Sequence, residues 1–223
     1  MRKKNSKMKK IHTVIFDLDG TLADTLGDLN GAVNAALMQY GFPERSLEET
    51  RAAIGNGIRN LIERSAPAGT DAAICDSLLK KFRAYYREHL LVRTVAYPGM
   101  VELLQALRDA GVRIAVASNK FDAGTKEIFY GLFGDAAEVV RGETEDCPRK
   151  PAPDIIDRIL TELGVPKEGT VLVGDSEVDV KTAQNAGIDV IGVTWGFRSR
   201  EQLLAAGAEK FADTAEEIRR LVL

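Results

Sequence analysis

The sequence predicts an α/β protein in which a doubly wound parallel sheet carries an all-helical insert after its first strand. Three observations lead there. Short, nearly continuous apolar runs recur along the chain. From residue 98 onward they alternate with helical stripes, and between residues 26 and 92 there are helical stripes with no strand signal. The result is a Rossmann-like core of residues 1–23 and 96–223, interrupted by a helical cap of residues 24–95.

In chain order, the run IHTVIF at 11–16 is β-branched and apolar, as a buried strand requires. Leu26, Leu29, Val33, Leu37 and Tyr40 then make a helical stripe closed by Gly41 and Pro43. Ser46 and Glu49 form a capping box that opens a second helix. Ile58, Leu61 and Ile62 mark a third, ended by Pro67 and Gly69, and Ile74, Leu78, Phe82, Tyr86 and Leu90 a long fourth. The later runs VRIAVAS (112–118), AEVV (137–140), TVLVG (170–174) and DVIGVT (189–194) lack alternation, the pattern of strands covered on both faces. Val101, Leu104 and Leu107, then Ile155, Ile159 and Leu163, then Val180, Ala183 and Ala186 share helix faces. Gly111, Gly164 and Gly187 stop those helices.

Composition narrows the partners. The 223 residues carry a formal charge of −3, and the first ten hold six Lys or Arg, a run that reads as a solvated tail. Without those six, 24 basic residues face 33 acidic ones, a net −9, which argues against nucleic acid as a partner. Cys75 and Cys147 form no CxxC and have no His partner nearby, so neither a zinc site nor a disulfide framework is expected. That pattern places the protein in a reducing cytoplasm. No run approaches the roughly 20 apolar residues of a membrane span, so no membrane partner is expected either.

The chemistry gathers at strand ends. Asp17 and Asp19 follow the first strand, Ser118, Asn119 and Lys120 the second, and Asp175 and Asp179 the TVLVG strand, while Lys150 lies ahead of a returning helix. Taken singly, an Asp after a strand is a turn former or N-cap and a Lys is a surface charge. In a parallel sheet these ends share one crevice. Four carboxylates there would repel by several kcal/mol per close pair unless a cation sits among them. The donors are all oxygens, which suits Mg²⁺ or Mn²⁺ rather than zinc. A hard divalent ion beside Ser118 and Lys150 is suited to binding a phosphoryl group.

These segments, DLDGT at 17–21, ASNK at 117–120, KPAP at 150–153 and GDSEVD at 174–179, identify the chain as similar to the haloacid dehalogenase-like hydrolase superfamily. The resemblance spans nearly the whole chain. It implies Asp17 as the nucleophile that becomes an aspartyl-phosphate, and Asp19 as the acid/base. Ser118, Asn119 and Lys150 would bind the phosphoryl group. Mg²⁺ would be held by Asp17, Asp175, the Asp19 carbonyl and, directly or through water, Asp179. The insert resembles the helical-cap branch, and GNGIRNLIER (55–64) with GVTWGFRSREQLLAAGA (192–208) most resembles phosphoglycolate phosphatases. That resemblance points Gly55, Asn56 and Gly57 at the substrate and offers Arg59 for a substrate carboxylate. The implied partner is a small phosphorylated metabolite, and the implied assembly a monomer or homodimer.

Three alternatives stay open. A sugar phosphomutase or a pyrophosphatase of the same fold would keep both Asp residues. A phospho-Asp signalling module also uses an Asp on a doubly wound sheet, but as a shorter chain without a cap. A dehalogenase would lack Asp19, because breaking a carbon–halogen bond needs no acid for an alkoxide.

Overall fold

The computed structural model describes residues 10–55 and 57–223. Six parallel strands form one sheet: β1 (Thr13–Phe16), β4 (Arg113–Phe121), β5 (Val139–Glu143), β6 (Thr170–Gly174), β7 (Asp189–Val193) and β8 (Lys210–Ala212). Their order is β5-β4-β1-β6-β7-β8, with Thr13 beside Arg113 on one side and Thr170 on the other. The strand order therefore reverses at β1, where ligands of such sheets bind beyond the carboxyl ends.

Both faces of the sheet are covered, as the unalternating runs require. Val14 and Phe16 point into a cluster with Leu104, Leu107, Ile128, Phe129 and Ile218 from helices α5 (Met100–Asp109), α6 (Asp122–Phe133) and α10 (Ala215–Val222). Ile15 points the other way, onto Ile155, Ile156, Ile159 and Ala183 of α7 (Asp154–Leu163) and α8 (Glu177–Ala186). Successive β1 residues thus serve opposite layers, as the pleat dictates. Helix α9 (Arg200–Ala206) closes the far edge, where Leu203 meets Val180 and Ala208.

Some expected elements shift. Val101 is 49% exposed, and the buried face of α5 is Met100, Leu103, Leu104 and Leu107. That set follows the i, i+3, i+4, i+7 spacing, whereas a strict three-residue step from Val101 drifts off the face. Strand β5 begins within the AEVV run, at Val139, and extends past it to Glu143, and β4 continues through Ser118, Asn119 and Lys120 to Phe121.

The insert consists of α1 (Leu26–Met38), α2 (Leu47–Ala53), α3 (Ile58–Ser65) and α4 (Ala72–Glu88), with α1 packed on α4. The expected capping box is present: Ser46 Oγ accepts from Glu49 N, and the Glu49 carboxylate accepts from Ser46 N. The chain leaves and re-enters the core through a two-residue antiparallel ribbon, β2 (Ala23–Asp24) with β3 (Val95–Ala96). Beside it the buried Asp28 accepts from Val92 N, Arg93 N, Thr94 N and Thr94 Oγ1 at 2.8–3.1 Å. One carboxylate thereby satisfies the backbone of the whole returning segment. Among the described residues no helix is long and apolar enough to cross a membrane.

Asp28→Ala would strand three backbone N–H groups and one hydroxyl in a buried position, so it should cost about 3 kcal/mol of stability. Urea unfolding of the two proteins measures the difference, and an unchanged midpoint would refute this reading of the neck.

Candidate functional site

Strand β1 ends at Phe16, and Asp17 is still tied to the sheet, its N–H donating to Val173 O at 2.8 Å. The next residues turn sharply. Leu18 O accepts from the N–H groups of Thr21, Leu22 and Ala23, and Gly20 N donates to Ala23 O. Gly20 takes φ +85°, where a side chain is strained, and a Cβ there would also collide with the Asp175 carboxylate. Gly196 meets the same carboxylate from the loop after β7. These two glycines let backbone close around Asp175, which accepts from Thr21 Oγ1 at 3.1 Å and Phe197 N at 2.7 Å.

Asp17, Asp175 and Asp179 come together: each offers a carboxylate oxygen within 4.8 Å of the others, and all three are buried. Asp179 sits in the first turn of α8, where its second oxygen accepts from Ser176 N and Oγ in a reciprocal cap. Lys150 enters from the loop before α7. Its ammonium donates to Asp17 Oδ1 at 2.8 Å, Asp179 Oδ1 at 2.7 Å and Ala117 O at 2.8 Å.

Burial sets the electrostatics. Desolvation, reinforced by Asp179, lifts Asp175 to about 7. Desolvation also holds Asp17 well above the ordinary carboxylate range, because Lys150 offsets only part of it and the other acids add to it. Burial works against the Lys150 ammonium too, but Asp17 and Asp179 outweigh it and its pKa is raised. With all three carboxylates ionised, the one ammonium would leave a buried excess of two negative charges. That excess and the all-oxygen donor set fit a hard divalent cation.

Asp19 is elsewhere. Its Oδ1 accepts from Thr25 Oγ1 at 2.6 Å and pairs with Lys120 Nζ at 2.9 Å, outside the three-carboxylate cluster. Lys120 is buried at the end of β4 and also donates to the Tyr86 hydroxyl at 2.6 Å. Burial keeps that phenol protonated, its pKa pushed up to about 12.

A cavity of about 150 Å³ opens onto this rim. Core residues Asp17, Asp19, Ser118, Asn119, Lys150, Asp175 and Asp179 line it, and Leu29, Ile54, Gly55, Gly57, Ile58 and Leu61 of the insert face them. Ser118 is buried and accepts from Lys120 N at 3.1 Å. The Asn119 side chain is occupied: it donates to Lys150 O and accepts from Lys150 N, clamping the lysine's backbone. Asn56 lies outside the described residues. Arg59 does not reach the cavity. It pairs with Asp76 at 2.7 Å and Glu63 at 3.4 Å on the exposed side of α3. The arginine at the cavity is Arg198, which pairs with Glu177 at 3.1 Å and donates to Ile54 O across the gap between core and insert.

Sequence reasoning assigned no role to Lys120, Tyr86, Thr25 or Arg198. Lys120 stood in the quoted ASNK segment, but Tyr86 read as one more apolar residue of a helical stripe. Trp195 donates to Thr21 O and Phe197 N to Asp175, so both brace the turn at Gly20.

A doubly wound α/β sheet with buried charge at the ends of its central strands defines an enzyme of the Rossmann-like class. Within it, the chain belongs to the haloacid dehalogenase-like hydrolase family, whose model matches residues 14–193. It is similar to a phosphoglycolate phosphatase of Pseudomonas putida, 35% identical over 197 residues, with 82% of this chain and 70% of the relative covered. Another phosphoglycolate phosphatase, from Colwellia psychrerythraea, is 32% identical over 95% of this chain and 97% of its own length. A crystal structure from Lactobacillus delbrueckii subsp. bulgaricus superposes with a TM-score of 0.91 at 33% identity, covering 96% of this chain and 99% of that one. CbbY from Rhodobacter sphaeroides, in complex with phosphate, superposes at 0.70 with 28% identity over 93% of this chain and 96% of its own. The protein is thus an enzyme, a phosphatase of the haloacid dehalogenase-like family.

A carboxyl whose folded pKa lies above its unfolded value favours folding at acidic pH and loses that contribution as pH rises through about 7 for Asp175. A cation must displace the proton below that pH and need not above it. Adding a hard divalent cation should therefore raise the thermal midpoint more near pH 8 than near pH 5.5. Equal gains at both would disconnect the cation from these carboxylates.

Proposed function

We propose that the enzyme hydrolyses a small phosphate monoester, phosphoglycolate, with Asp17 as nucleophile, Asp19 as acid/base, and residues 24–95 as a cap over the site. The observation that carries this reading is the separation of two carboxylates only two residues apart. Asp17 lies among Asp175, Asp179 and Lys150, while Asp19 is anchored through one oxygen to Lys120 and Thr25. One is placed to stay ionised beside a cation, and the other has a free oxygen with which to carry a proton.

Asp17 attacks phosphorus, and the bond to the leaving oxygen breaks with its electron pair going to that oxygen. Asp19 delivers a proton there, so glycolate leaves as the neutral alcohol at that position. Asp19, now ionised, takes a proton from water as the water attacks the aspartyl-phosphate, which returns Asp17 and releases phosphate. Ser118 would donate to a phosphoryl oxygen, Lys150, with its three donors already placed, would add positive charge beside that group, and Asn119 holds Lys150. Asp17, Asp175 and Asp179, with the Asp19 carbonyl, would hold Mg²⁺, which supplies charge neutralisation at the phosphoryl group.

The cavity favours a small substrate. At about 150 Å³ it lies below the roughly 300–1,000 Å³ of sites for larger ligands. Its insert-side wall is mostly apolar, which suits exclusion of water during transfer. Phosphoglycolate also needs a cation for its carboxylate. Lys150 spends three donors on Asp17, Asp179 and Ala117, and Lys120 is committed to Asp19 and Tyr86. Arg198, bonded through Nε and Nη2, is the lining cation with a further terminal nitrogen to offer.

Asp17→Asn should lower turnover by roughly a thousandfold or more while leaving the fold intact, because Asn keeps the shape but is a poor nucleophile. EDTA should abolish wild-type activity and Mg²⁺ restore it. Near-normal turnover by the variant, or indifference to EDTA, would overturn the mechanism. For the substrate, Arg198→Ala should raise KM for phosphoglycolate several-fold more than for ethyl phosphate. Arg59→Ala should leave both within about twofold, and the reverse pattern would return the carboxylate to Arg59.

A further inference from the structure

Tyr86 belongs to α4, at the core end of the insert's longest helix, and is 1% exposed. Its ring stacks on Phe82 of the same helix, with centroids 5.4 Å apart. Its hydroxyl leaves the insert's apolar interior and accepts from Lys120 Nζ, on β4 of the core, at 2.6 Å. The same ammonium lies 4.6 Å from the centre of the Tyr86 ring and 2.9 Å from Asp19 Oδ1. Three groups therefore form one file, from insert helix to core lysine to Asp19.

The chemistry of Lys120 makes this file directional. Its side chain is 4% exposed, so water does not supply the acceptors an ammonium needs. Among the described residues its acceptors are one oxygen on Asp19 and one on Tyr86. Taking the phenol away leaves Lys120 one acceptor short and free to turn about its contact with Asp19, so Thr25 becomes the remaining fixed partner of that carboxylate. Thr25 sits at the start of α1, on the insert side of the β2–β3 ribbon, so both anchors of Asp19 depend on how the insert is seated.

From this geometry we infer that Tyr86, acting through Lys120, is a positioning residue that aims Asp19 at the leaving oxygen only when α4 is seated on the core. This rests on the reading of Asp19 as the acid. It makes the proton donor conditional on the insert being closed over the substrate. The bond to phosphorus still forms at Asp17, and the proton still moves from Asp19 to the departing oxygen. Tyr86 contributes the direction of that transfer and no proton.

The test separates leaving groups. Glycolate departs as an alkoxide and needs a proton, whereas acetate leaves acetyl phosphate already stable as an anion. For Tyr86→Phe, kcat/KM for phosphoglycolate should fall about tenfold or more, while that for acetyl phosphate stays within about twofold. Partial unfolding of the variant lowers both alike, so the ratio is read independently of stability. Equal losses, or no loss on either substrate, would overturn the inference. Asp19→Asn measured in parallel distinguishes the two levels. If it lacks the leaving-group selectivity, the acid assignment itself fails. If it shows the selectivity and Tyr86→Phe does not, Asp19 is the acid and Tyr86 does not aim it.

Discussion

The ammonium of Lys150, buried among Asp17 and Asp179, is the contact on which the architecture of the site turns. Its fields reach residues separated by more than a hundred positions in sequence, and it is held by β4 through Asn119 and Ala117 O. Were it absent, three buried carboxylates would face each other with no positive charge in contact, at a cost that burial multiplies. With it, the fully ionised cluster would still carry two uncompensated charges. That remainder makes the rim stable enough to fold and still able to attract a doubly charged ion. The neighbouring backbone is shaped to the same end: Gly20 and Gly196 close on Asp175 from two loops, where any side chain would push the carboxylate out of place.

The insert contributes to this rim alongside the core. Ile54, Gly55 and Gly57 face the acids across the cavity, and Arg198 bonds Ile54 O from the core side. Arg51 returns the contact by donating to Gly196 O, in the loop that also supports Asp175. Each of these is a polar bond across a boundary joined covalently by only two short strands.

How far the sequence carried these conclusions depends on the kind of signal. Five of the six strands of the sheet and the insert helices announced themselves through run length and period, since burial on both faces leaves no alternation and helix faces repeat every three to four residues, whereas the three-residue edge strand β8 was too short to leave such a signal. Asp17, Ser118, Lys150, Asp175 and Asp179 were readable because all sit at strand ends or beside them, and a parallel sheet brings such ends together. The two-residue strands β2 and β3 were not, because so short a pairing leaves no periodicity. Arg59 misled for a different reason. Its position beside a glycine loop says nothing about rotation around α3, and the helix turns it toward Asp76 and Glu63 instead. Tyr86 was hidden by its own chemistry: a tyrosine satisfies a hydrophobic stripe with its ring while its hydroxyl does something else.

The division between Asp17 and Asp19 shows why the turn matters more than the spacing. On a continuing strand, residues i and i+2 point to the same face, and the two carboxylates would have joined one cluster with a fourth repelling charge. Here the strand stops at Phe16. Leu18, fully buried, drives its side chain into the core and gathers three N–H groups on its carbonyl, which winds the chain away before Asp19 can fall in line with Asp17. Asp19 is delivered to Lys120 and Thr25, where it finds a positive partner of its own. Two acids one residue apart are thereby given separate counter-charges, which in the mechanism proposed above lets one remain a bare carboxylate while the other exchanges a proton. The apolar residue between them therefore shapes the proposed site as much as the acids it separates.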